Sequence, residues 1–484
     1  MTQPSDFVPA LRLHLLLCAS AAVLAACGGS DGGADDATAA AADANRSTAM
    51  AAHANADAQA AITPASANTT AASPEEQITE LYLALLHRAP DAAGLAYWTQ
   101  ALRNGASIDA IAEAIKTSPE YQQLQAGSYP LPPATTHNYY VSANTGSDSW
   151  PGTQAQPFKT LARAVKAVTQ PSTTVWVAPG TYAGGIKTTV SGSATGRIYW
   201  RSTTRWGARI VPPASSSNNS AWDNRGHYVS ITGFDVDGSQ AGSGTPWLHG
   251  IYTGGSYSII QYNRVHHLAV KVPCTSAGGS AIGVDSYYHG VKGDVLDNMV
   301  HDVGPTGCRY VQGIYMSTSG TVKDNVVFRI GQAAIHLWHD ANDVKIINNT
   351  VSSSVFGIIV GGGDFYFNTA GANNVHVHNN IVFDNTYGIS EQGKTGTSNT
   401  YKNNLVYQNP SYNWRLQNGL QPVNTVSANP LFVAYSRTAP MPDFHLTSSS
   451  PAIGRGVSTY VQPTDFEGKP RNANTGYDIG AYQH

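Results

Sequence analysis

The residues best suited to chemistry are concentrated between positions 285 and 340, within a sequence that is otherwise rich in glycine and β-branched residues. His336-Leu-Trp-His339-Asp340 holds two histidines in five positions. Imidazole, phenol, carboxylate and guanidinium groups are the usual acids, bases and anion-binding groups of enzymes. The segment is therefore predicted to hold the functional site. The candidates are Asp285, Tyr287, His301, Asp302, Arg309, Tyr315, His336, Trp338, His339 and Asp340.

A repeated phrase, Asn-x-Val, indicates the elements that position these residues. Successive copies lie 24 to 35 residues apart, which is the period of stacked repeat architectures. Each unit contains short β-branched stretches interrupted by Asn and Gly and shows no helical period, as a coil of short strands requires. The phrases contain Asn263, Asn298, Asn325, Asn349, Asn380 and Asn404. We expect these asparagines to form a buried amide ladder at a turn.

The alternation of side chains along a strand predicts which residues face outward. If the valine of each phrase points inward, the next residue points out, and a second outward column follows the later Gly-Ile or Ala-Ile phrase. The first column is His266, His301, Phe328, Ser352, Phe383 and Tyr407. The second is Tyr252, Asp285, Tyr315, His336, Ile359 and Ser390, and two positions further along come Tyr287, Ser317, Trp338, Gly361 and Gln392.

Two long loops are predicted to form one wall beside these columns. Cys274 lies nine residues past Val265, and Cys308 lies eight past Val300, so the two cysteines occupy matching places on adjacent coils. In an exported protein this predicts a disulfide. A second wall is expected from the loop at residues 361–368.

The amino-terminal sequence predicts export. An apolar stretch after Arg12 reads as a signal peptide over residues 1–26. Leu24-Ala-Ala-Cys27-Gly28 resembles the bacterial lipobox, which implies lipidation of Cys27 and anchoring, without spanning, at the outer membrane, facing the periplasm or the cell surface. Residues 27–75 are rich in Ala, Asp, Thr, Ser and Gly, and we expect a disordered tether there.

Residues 76–126 show helical spacing of Ile78, Leu81, Tyr82, Leu85 and Leu86, followed by two further apolar helical patterns. The string Arg-x-Pro-Asp-x-x-Gly-x-x-Tyr-Trp at positions 88–98 resembles a helical module of unassigned function found in secreted bacterial proteins. A proline-rich linker is predicted at 127–137.

Residues 138–484 resemble right-handed parallel β-helix proteins of the pectate-lyase-like superfamily. The opening segment carries this resemblance through the sequence at 139–148, Pro157-Phe-Lys-Thr-Leu161 and the stretch at 175–182. The segments at 429–432, 443–446, 450–453 and 465–481 resemble the closing part of the same proteins. The resemblance implies an all-β solenoid behind a small α-helical domain. An apolar stripe at Phe158, Leu161, Ala162, Val165 and Val168 predicts a helical lid over its open end.

The superfamily includes polysaccharide lyases, glycoside hydrolases, uronate epimerases and non-catalytic members, so the fold does not choose among them. The richness in His, Tyr and Arg favours a lyase acting on an acidic, uronate-containing polymer. In that hypothesis His336 is the base, Tyr315 the acid and Arg309 the carboxylate-binding group. His301 and Asp302 assist. The substrate-binding candidates are Trp338, Tyr287, His339 and Asp340.

Two alternatives stay open at this stage. A hydrolase would pair two of Asp285, Asp302 and Asp340, and a non-catalytic β-helix would only bind or adhere to glycan. A Ca²⁺ ion is possible, with Asp285 or Asp302 as its ligand. The net charge of −3 and the absence of a basic cluster in the sequence argue against a nucleic-acid partner. The expected partner is a polysaccharide, and the expected state is a monomer.

Overall fold

The computed structural model describes residues 73–86, 90, 92–118, 121, 129–214, 218–239, 246–270, 272, 274, 278–305, 308, 310–471, 474 and 476–484. It begins with three helices: α1 (Pro74–Leu86), α2 (Ala92–Arg103) and α3 (Ile108–Lys116). Their apolar faces meet around Ile78, Leu95 and Ile111, all of which are buried. No helix in the described ranges has both the length and the apolar character needed to cross a bilayer.

The rest of the described chain is built from short strands in three parallel sheets. Sheet 1 contains β1 (His137–Val141), β2 (Thr173–Val177), β5 (Ile198–Ser202), β8 (Val229–Thr232), β11 (Ser258–Gln261), β14 (Gly293–Leu296), β17 (Gly320–Lys323), β20 (Val344–Ile347), β23 (His376–His378) and β26 (Thr400–Lys402). Sheet 2 contains β3 (Gly180–Ala183), β6 (Ala208–Val211), β9 (Asp235–Asp237), β12 (Arg264–Leu268), β15 (Met299–Val303), β18 (Val326–Ile330), β21 (Thr350–Ser352), β24 (Ile381–Phe383) and β27 (Leu405–Tyr407). Sheet 3 contains β4 (Ile186–Thr188), β7 (Ser220–Asn224), β10 (His249–Thr253), β13 (Gly279–Val284), β16 (Val311–Met316), β19 (Ala333–Leu337), β22 (Phe356–Gly362), β25 (Tyr387–Gly393) and β28 (Tyr412–Arg415).

From β2 onward, each coil contributes one strand to sheet 1, then one to sheet 2 and then one to sheet 3. Each strand pairs in parallel with the equivalent strand of the next coil. This is the expected parallel β-helix. Inward residues of all three sheets form one continuous apolar core, in which Val265, Ile314 and Val351 are fully buried. Burial of this apolar ribbon is the main stabilising term, because a single coil has no core of its own.

The turn from sheet 1 to sheet 2 contains the predicted amide ladder. Each asparagine donates from its backbone N–H and its Nδ2 to the Oδ1 of the next, at 2.9–3.1 Å, from Asn263 to Asn404. The residue before each rung has a left-handed φ, 57° at Tyr262 and 51° at Asp324. This tight bend places the amide inside the turn, where all six asparagines are completely buried.

The amino-terminal end of the core is covered by α4 (Leu161–Ala167), which confirms the predicted helical lid. The side chains of Leu161, Ala164 and Val168 are buried in the core. Ala162, expected on the apolar stripe, is instead exposed.

The carboxyl-terminal segment does not close the opposite end of the solenoid. After the antiparallel pair β29 (Phe432–Ala434) and β30 (Asp443–Leu446), it runs back along the outside of sheets 1 and 2. There Arg471 pairs with Asp324, and Arg205 donates to the carbonyl of Phe466. The far end is covered by Trp414, Leu416 and Leu420, which pack against the core.

Candidate functional site

The outward face of sheet 3 carries the central column of the candidate site. The register places Asp223, Tyr252, Gly283, Tyr315, His336, Ile359, Ser390 and Arg415 in one row, one residue per coil. The loops between sheets 2 and 3 rise on one side of this row, and the loops between sheets 3 and 1 rise on the other. The row therefore forms the floor of a groove.

Tyr315 and His336 lie next to each other in this floor, as the sequence predicted. Their ring centroids are 5.2 Å apart and their planes are nearly perpendicular, at 85°. Tyr315 is 0% exposed and His336 is 4% exposed. A proton donor and a proton acceptor are thus held side by side, shielded from bulk water, on two rigid strands.

The register of Asp285 differs from the prediction. Gly283 occupies the column position between Tyr252 and Tyr315, and Asp285 lies two residues further along, in the row that contains Ser317. The triplet equivalent to Gly313-Ile-Tyr315 is Ala281-Ile-Gly283, and not Gly283-Val-Asp285. Tyr287 is displaced with it and lies in the loop after β13, where its ring contacts Tyr366 at 5.2 Å.

Asp285 is surrounded by hydrogen-bond donors. Its carboxylate accepts from the Tyr252 hydroxyl at 2.9 Å, the Ser317 hydroxyl at 2.7 Å and the Tyr287 backbone N–H at 3.0 Å. A calcium ion needs six to eight oxygen ligands, but these groups direct hydrogens at the carboxylate. The residues around Asp285 do not fit calcium.

Trp338, His339 and Asp340 hold the loop at residues 361–368 in place. The ring of Trp338 is 3% exposed and packs so tightly beneath Gly361, Gly363 and Gly393 that a Cβ at any of the three would clash with it. For a sugar ring to stack on this indole, as the sequence predicts, the loop at residues 361–368 would have to move away from it.

The other two residues of this string contact the same loop. His339 Nδ1 donates to the Asp364 carbonyl at 2.8 Å, and its Nε2 lies 2.8 Å from the Tyr366 hydroxyl. Asp340 accepts backbone N–H bonds from residues 366, 367 and 368 and a hydroxyl bond from Ser286. These contacts fix the second wall of the groove and leave the Asp340 carboxylate engaged.

His301 and Asp302 are not part of this groove. They belong to β15 of sheet 2, on a neighbouring face of the solenoid, where His301 stacks on Phe328 at 5.0 Å. Asp302 is held by Arg329 at 2.6 and 2.8 Å. Although burial opposes ionisation, hydrogen bonds from Arg329 and His301 hold the pKa of Asp302 well below its usual value. The structure therefore does not bring this pair together with Tyr315 and His336, and its geometry does not support the prediction that the pair assists them.

The predicted disulfide is confirmed. Cys274 and Cys308 are bonded, with their Cα atoms 5.3 Å apart, and join the loop after β12 to the loop after β15. The bridge stiffens the first wall of the groove. Arg309, the predicted carboxylate-binding residue, and Cys27, the predicted lipidation site, lie outside the described residues.

A second concave surface was not predicted from the sequence. It lies between α1, sheet 1 and the carboxyl-terminal segment, and encloses about 480 Å³. Its polar lining includes Glu80, Lys323, Lys345, His376 and Tyr460. The sheet 1 strands carry no repeated phrase that would align their outward residues. The alternation of side chains along each strand is the sequence signal that could locate those residues.

Burial shifts the pKa values of two charged groups in this cleft. Burial lowers the pKa of Lys323 to about 8, against the attraction of Asp324. Burial also raises the pKa of Asp294. Glu80 of α1 bonds to Lys292 at 2.7 Å, which ties the helical module to the outside of sheet 1.

Comparisons with known proteins agree with this architecture. Residues 179–351 match the family model described as right handed beta helix region. Residues 58–125 match a domain of unknown function, DUF4214, and residues 144–189 match a protein family of unknown function, DUF1565. No curated protein sequence matches the chain.

Several solved structures align with the chain at low sequence identity. A pectate lyase, Pel9A, is 16% identical, with a TM-score of 0.47 over 72% of this chain and 97% of that one. A protein described as a glycoside hydrolase is 9% identical, with a TM-score of 0.44 over 60% and 96% of the two chains. The A-module of the mannuronan C-5 epimerase AlgE4 from Azotobacter vinelandii is 14% identical, with a TM-score of 0.42 over 59% and 76%. From the strand pairing and the family model, the chain contains a right-handed parallel β-helix preceded by a small helical module.

Proposed function

We propose that this chain is a carbohydrate-active enzyme that cleaves an acidic, uronate-containing polysaccharide by β-elimination at the outer face of sheet 3. The observation that carries the proposal is the placement of Tyr315 beside His336, in register on adjacent coils with ring centroids 5.2 Å apart. General acid–base catalysis requires such a pair on rigid elements.

The two residues would divide the reaction between them. Neutral His336 takes the proton from the carbon next to the uronate carboxylate. The electron pair of that C–H bond forms a C=C bond to the neighbouring carbon, whose bond to the glycosidic oxygen breaks. The Tyr315 hydroxyl then gives its proton to the leaving oxygen. Arg309 is the proposed partner of the carboxylate, and Tyr287, half-buried in the wall, is the proposed contact for a sugar ring.

The alternative of hydrolysis by paired aspartates is not favoured by the geometry. A hydrolase needs two carboxylates about 5–9.5 Å apart facing one substrate. Asp302 belongs to another sheet, and Asp340 binds the backbone of the wall loop. Asp340 would therefore have to release the wall loop before it could act together with Asp285.

Glycan binding without catalysis is the second candidate. It is favoured by the nearly complete burial of Tyr315 and His336 and by the cleft of about 480 Å³ on the outer face of sheet 1. A binding protein has no need of an accessible acid–base pair, whereas a lyase has to admit polymer between the two walls of the groove.

The reaction is tested by incubating the purified full-length protein with a panel of uronate polymers. A lyase produces the ultraviolet absorbance of a conjugated C=C bond. New reducing ends without that absorbance would identify a hydrolase, and binding without products would leave the non-catalytic function.

Two substitutions test the assignment of roles. His336→Gln and Tyr315→Phe are expected to lower the rate by about 10²–10⁴-fold, the usual effect of removing a general acid or base. His378→Gln is the matched control, because His378 is an equally buried histidine on sheet 1, outside the groove. Full activity of the His336→Gln variant would rule out His336 as the base.

The proposed location follows from the amino-terminal sequence. We infer an outer-membrane lipoprotein that is held by a lipid on Cys27 and faces the periplasm or the cell surface. Metabolic labelling with a radioactive or clickable fatty acid tests this. Label in the wild type and none in Cys27→Ala is the expected result.

A further inference from the structure

Three histidines form a cluster on the outer face of sheet 2. His266 and His301 are adjacent in the outward column, with their rings stacked 4.8 Å apart, and His267 follows His266 in the chain. One ring nitrogen from each histidine lies within 4.8 Å of the other two. His266 and His301 are buried, and His267 is exposed.

Carboxylates fix the tautomers of the two buried rings. His266 Nε2 lies 2.9 Å from Asp235 Oδ1, and His301 Nδ1 lies 2.7 Å from Asp302 Oδ2. Each of these nitrogens donates its hydrogen to a carboxylate, because an ionised carboxylate only accepts. The opposite nitrogens, His266 Nδ1 and His301 Nε2, therefore carry lone pairs.

Arginines keep both carboxylates ionised. Arg264 binds Asp235 at 2.7 and 2.9 Å, and Arg329 binds Asp302 in the same two-pronged way. A histidine oriented by an ionised carboxylate is the usual outer-shell arrangement of metal ligands.

The lone pair of His301 has no partner. Its Nε2 is buried and makes no hydrogen bond to any group in the described part of the chain. A buried, unpaired acceptor is costly, and a cation at this point would satisfy it.

We propose that His266 Nδ1, His267 Nδ1 and His301 Nε2 form a binding site for a divalent transition cation of the zinc class. Imidazole nitrogen is a preferred ligand of zinc, at about 2.0–2.1 Å. The two Nδ1 atoms of His266 and His267 are 2.6 Å apart, and tetrahedral coordination needs about 3.3 Å between ligand nitrogens at that bond length. His267 is at the surface and can turn outward to provide this spacing.

The remaining coordination position is open to water. Asp237 Oδ1 is 3.8 Å from His266 Nδ1, but its carboxylate is bound by Arg209 and by the backbone N–H of Ser239. Three protein ligands with one open position is the ligand count of catalytic zinc sites, whereas structural sites have four protein ligands.

The site is tested with zinc alone on the full-length protein. Protein treated with a chelator is titrated with ZnCl₂ by calorimetry, and Co²⁺ is added separately to read its ligand-field absorption. One equivalent of zinc is expected to bind. His267→Asn is expected to weaken binding at least about 10-fold, since it removes one ligand of three.

His289→Asn is the matched control for this substitution. His267 and His289 are both exposed and both have a left-handed φ, 54° and 58°, a conformation that asparagine tolerates. His289→Asn is expected to leave zinc affinity unchanged. The proposal is overturned if the wild type shows no saturable zinc binding, or if the two variants lose affinity equally.

A second substitution tests the outer shell. Asp302→Asn is expected to lower zinc affinity about 10–100-fold, with circular dichroism used to establish that the β-helix is folded. Unchanged affinity in a folded Asp302→Asn protein would contradict the assignment of His301 Nε2 as a ligand.

Discussion

Replacing one rung of the amide ladder should destabilise the solenoid by an amount that depends on the position of the rung. In Asn349→Ala, the carbonyl of Ile347 and the Oδ1 of Asn380 lose one contact each but keep a backbone N–H. Three other buried groups also lose the side chain that they contact. These are the backbone N–H of Asn325, one Nδ2 hydrogen of Asn325 and the carbonyl of Val322. At about 1–3 kcal/mol for each unsatisfied buried group, with partial relaxation, the expected loss is about 3–6 kcal/mol.

The first rung provides an internal control, because fewer groups depend on it. In Asn263→Ala, the backbone N–H of Phe234 and the carbonyl of Ile231 lose their partner, while Asn298 Oδ1 keeps the backbone N–H of residue 263. Two groups in place of three predict a loss of about 2–4 kcal/mol. Both positions are fully buried, so exposure does not distinguish them.

Equilibrium denaturation in guanidinium chloride measures the difference. Solenoids can unfold in stages, so tryptophan fluorescence and circular dichroism are followed together and compared by midpoint. The ladder reasoning is refuted if Asn349→Ala lies within about 0.5 kcal/mol of the wild type, the range of an ordinary surface substitution, or if Asn263→Ala is the more damaging change.

Three further outcomes are expected. Replacing Cys274 and Cys308 together by alanine should lower the free energy of unfolding by about 3–4 kcal/mol, because the bridge closes a loop spanning 34 residues; reduction of the wild type should reproduce the shift. Burial, then His376 and Lys402, lowers the pKa of His378 to about 4. The unfolded state therefore gains a proton first as the pH falls below about 6.5, and stability should drop by up to about 3 kcal/mol between that pH and about 4, a slope that His378→Gln should reduce. Phe466→Ala should cost about 3–5 kcal/mol and increase proteolysis of the carboxyl-terminal segment, since the ring is 2% exposed.

The repeated phrase Asn-x-Val predicted most of the fold. Because Asn-x-Val recurs once per coil, it predicted the ladder, the outward column from His266 to Tyr407 and the matched positions of Cys274 and Cys308, all of which the structure contains. It also placed Tyr315 beside His336. These features depend only on the alternation of side chains and the length of the repeat, and both are local properties of the sequence.

The errors came from positions that local alternation does not determine. Gly283 offers no outward side chain, so the sequence pattern points to Asp285 in its place. His301 and Asp302 are close to Tyr315 in sequence, but successive strands of a coil face different sides. The path of the carboxyl-terminal segment depends on contacts between residues more than 100 positions apart, such as Arg471 with Asp324, and no periodic pattern reports such contacts.

The returning carboxyl-terminal segment has a consequence for the order in which the molecule matures. Phe466 accepts from Arg205 across 261 residues, and Asn348 donates to carbonyls at 478 and 480. A chain that emerges amino end first can wind its coils in sequence, but it cannot cover the outside of sheet 2 until residues 466–480 have emerged. The side that holds Phe328 and Asp324 therefore stays open to chaperones and proteases until that segment has folded back onto the coils.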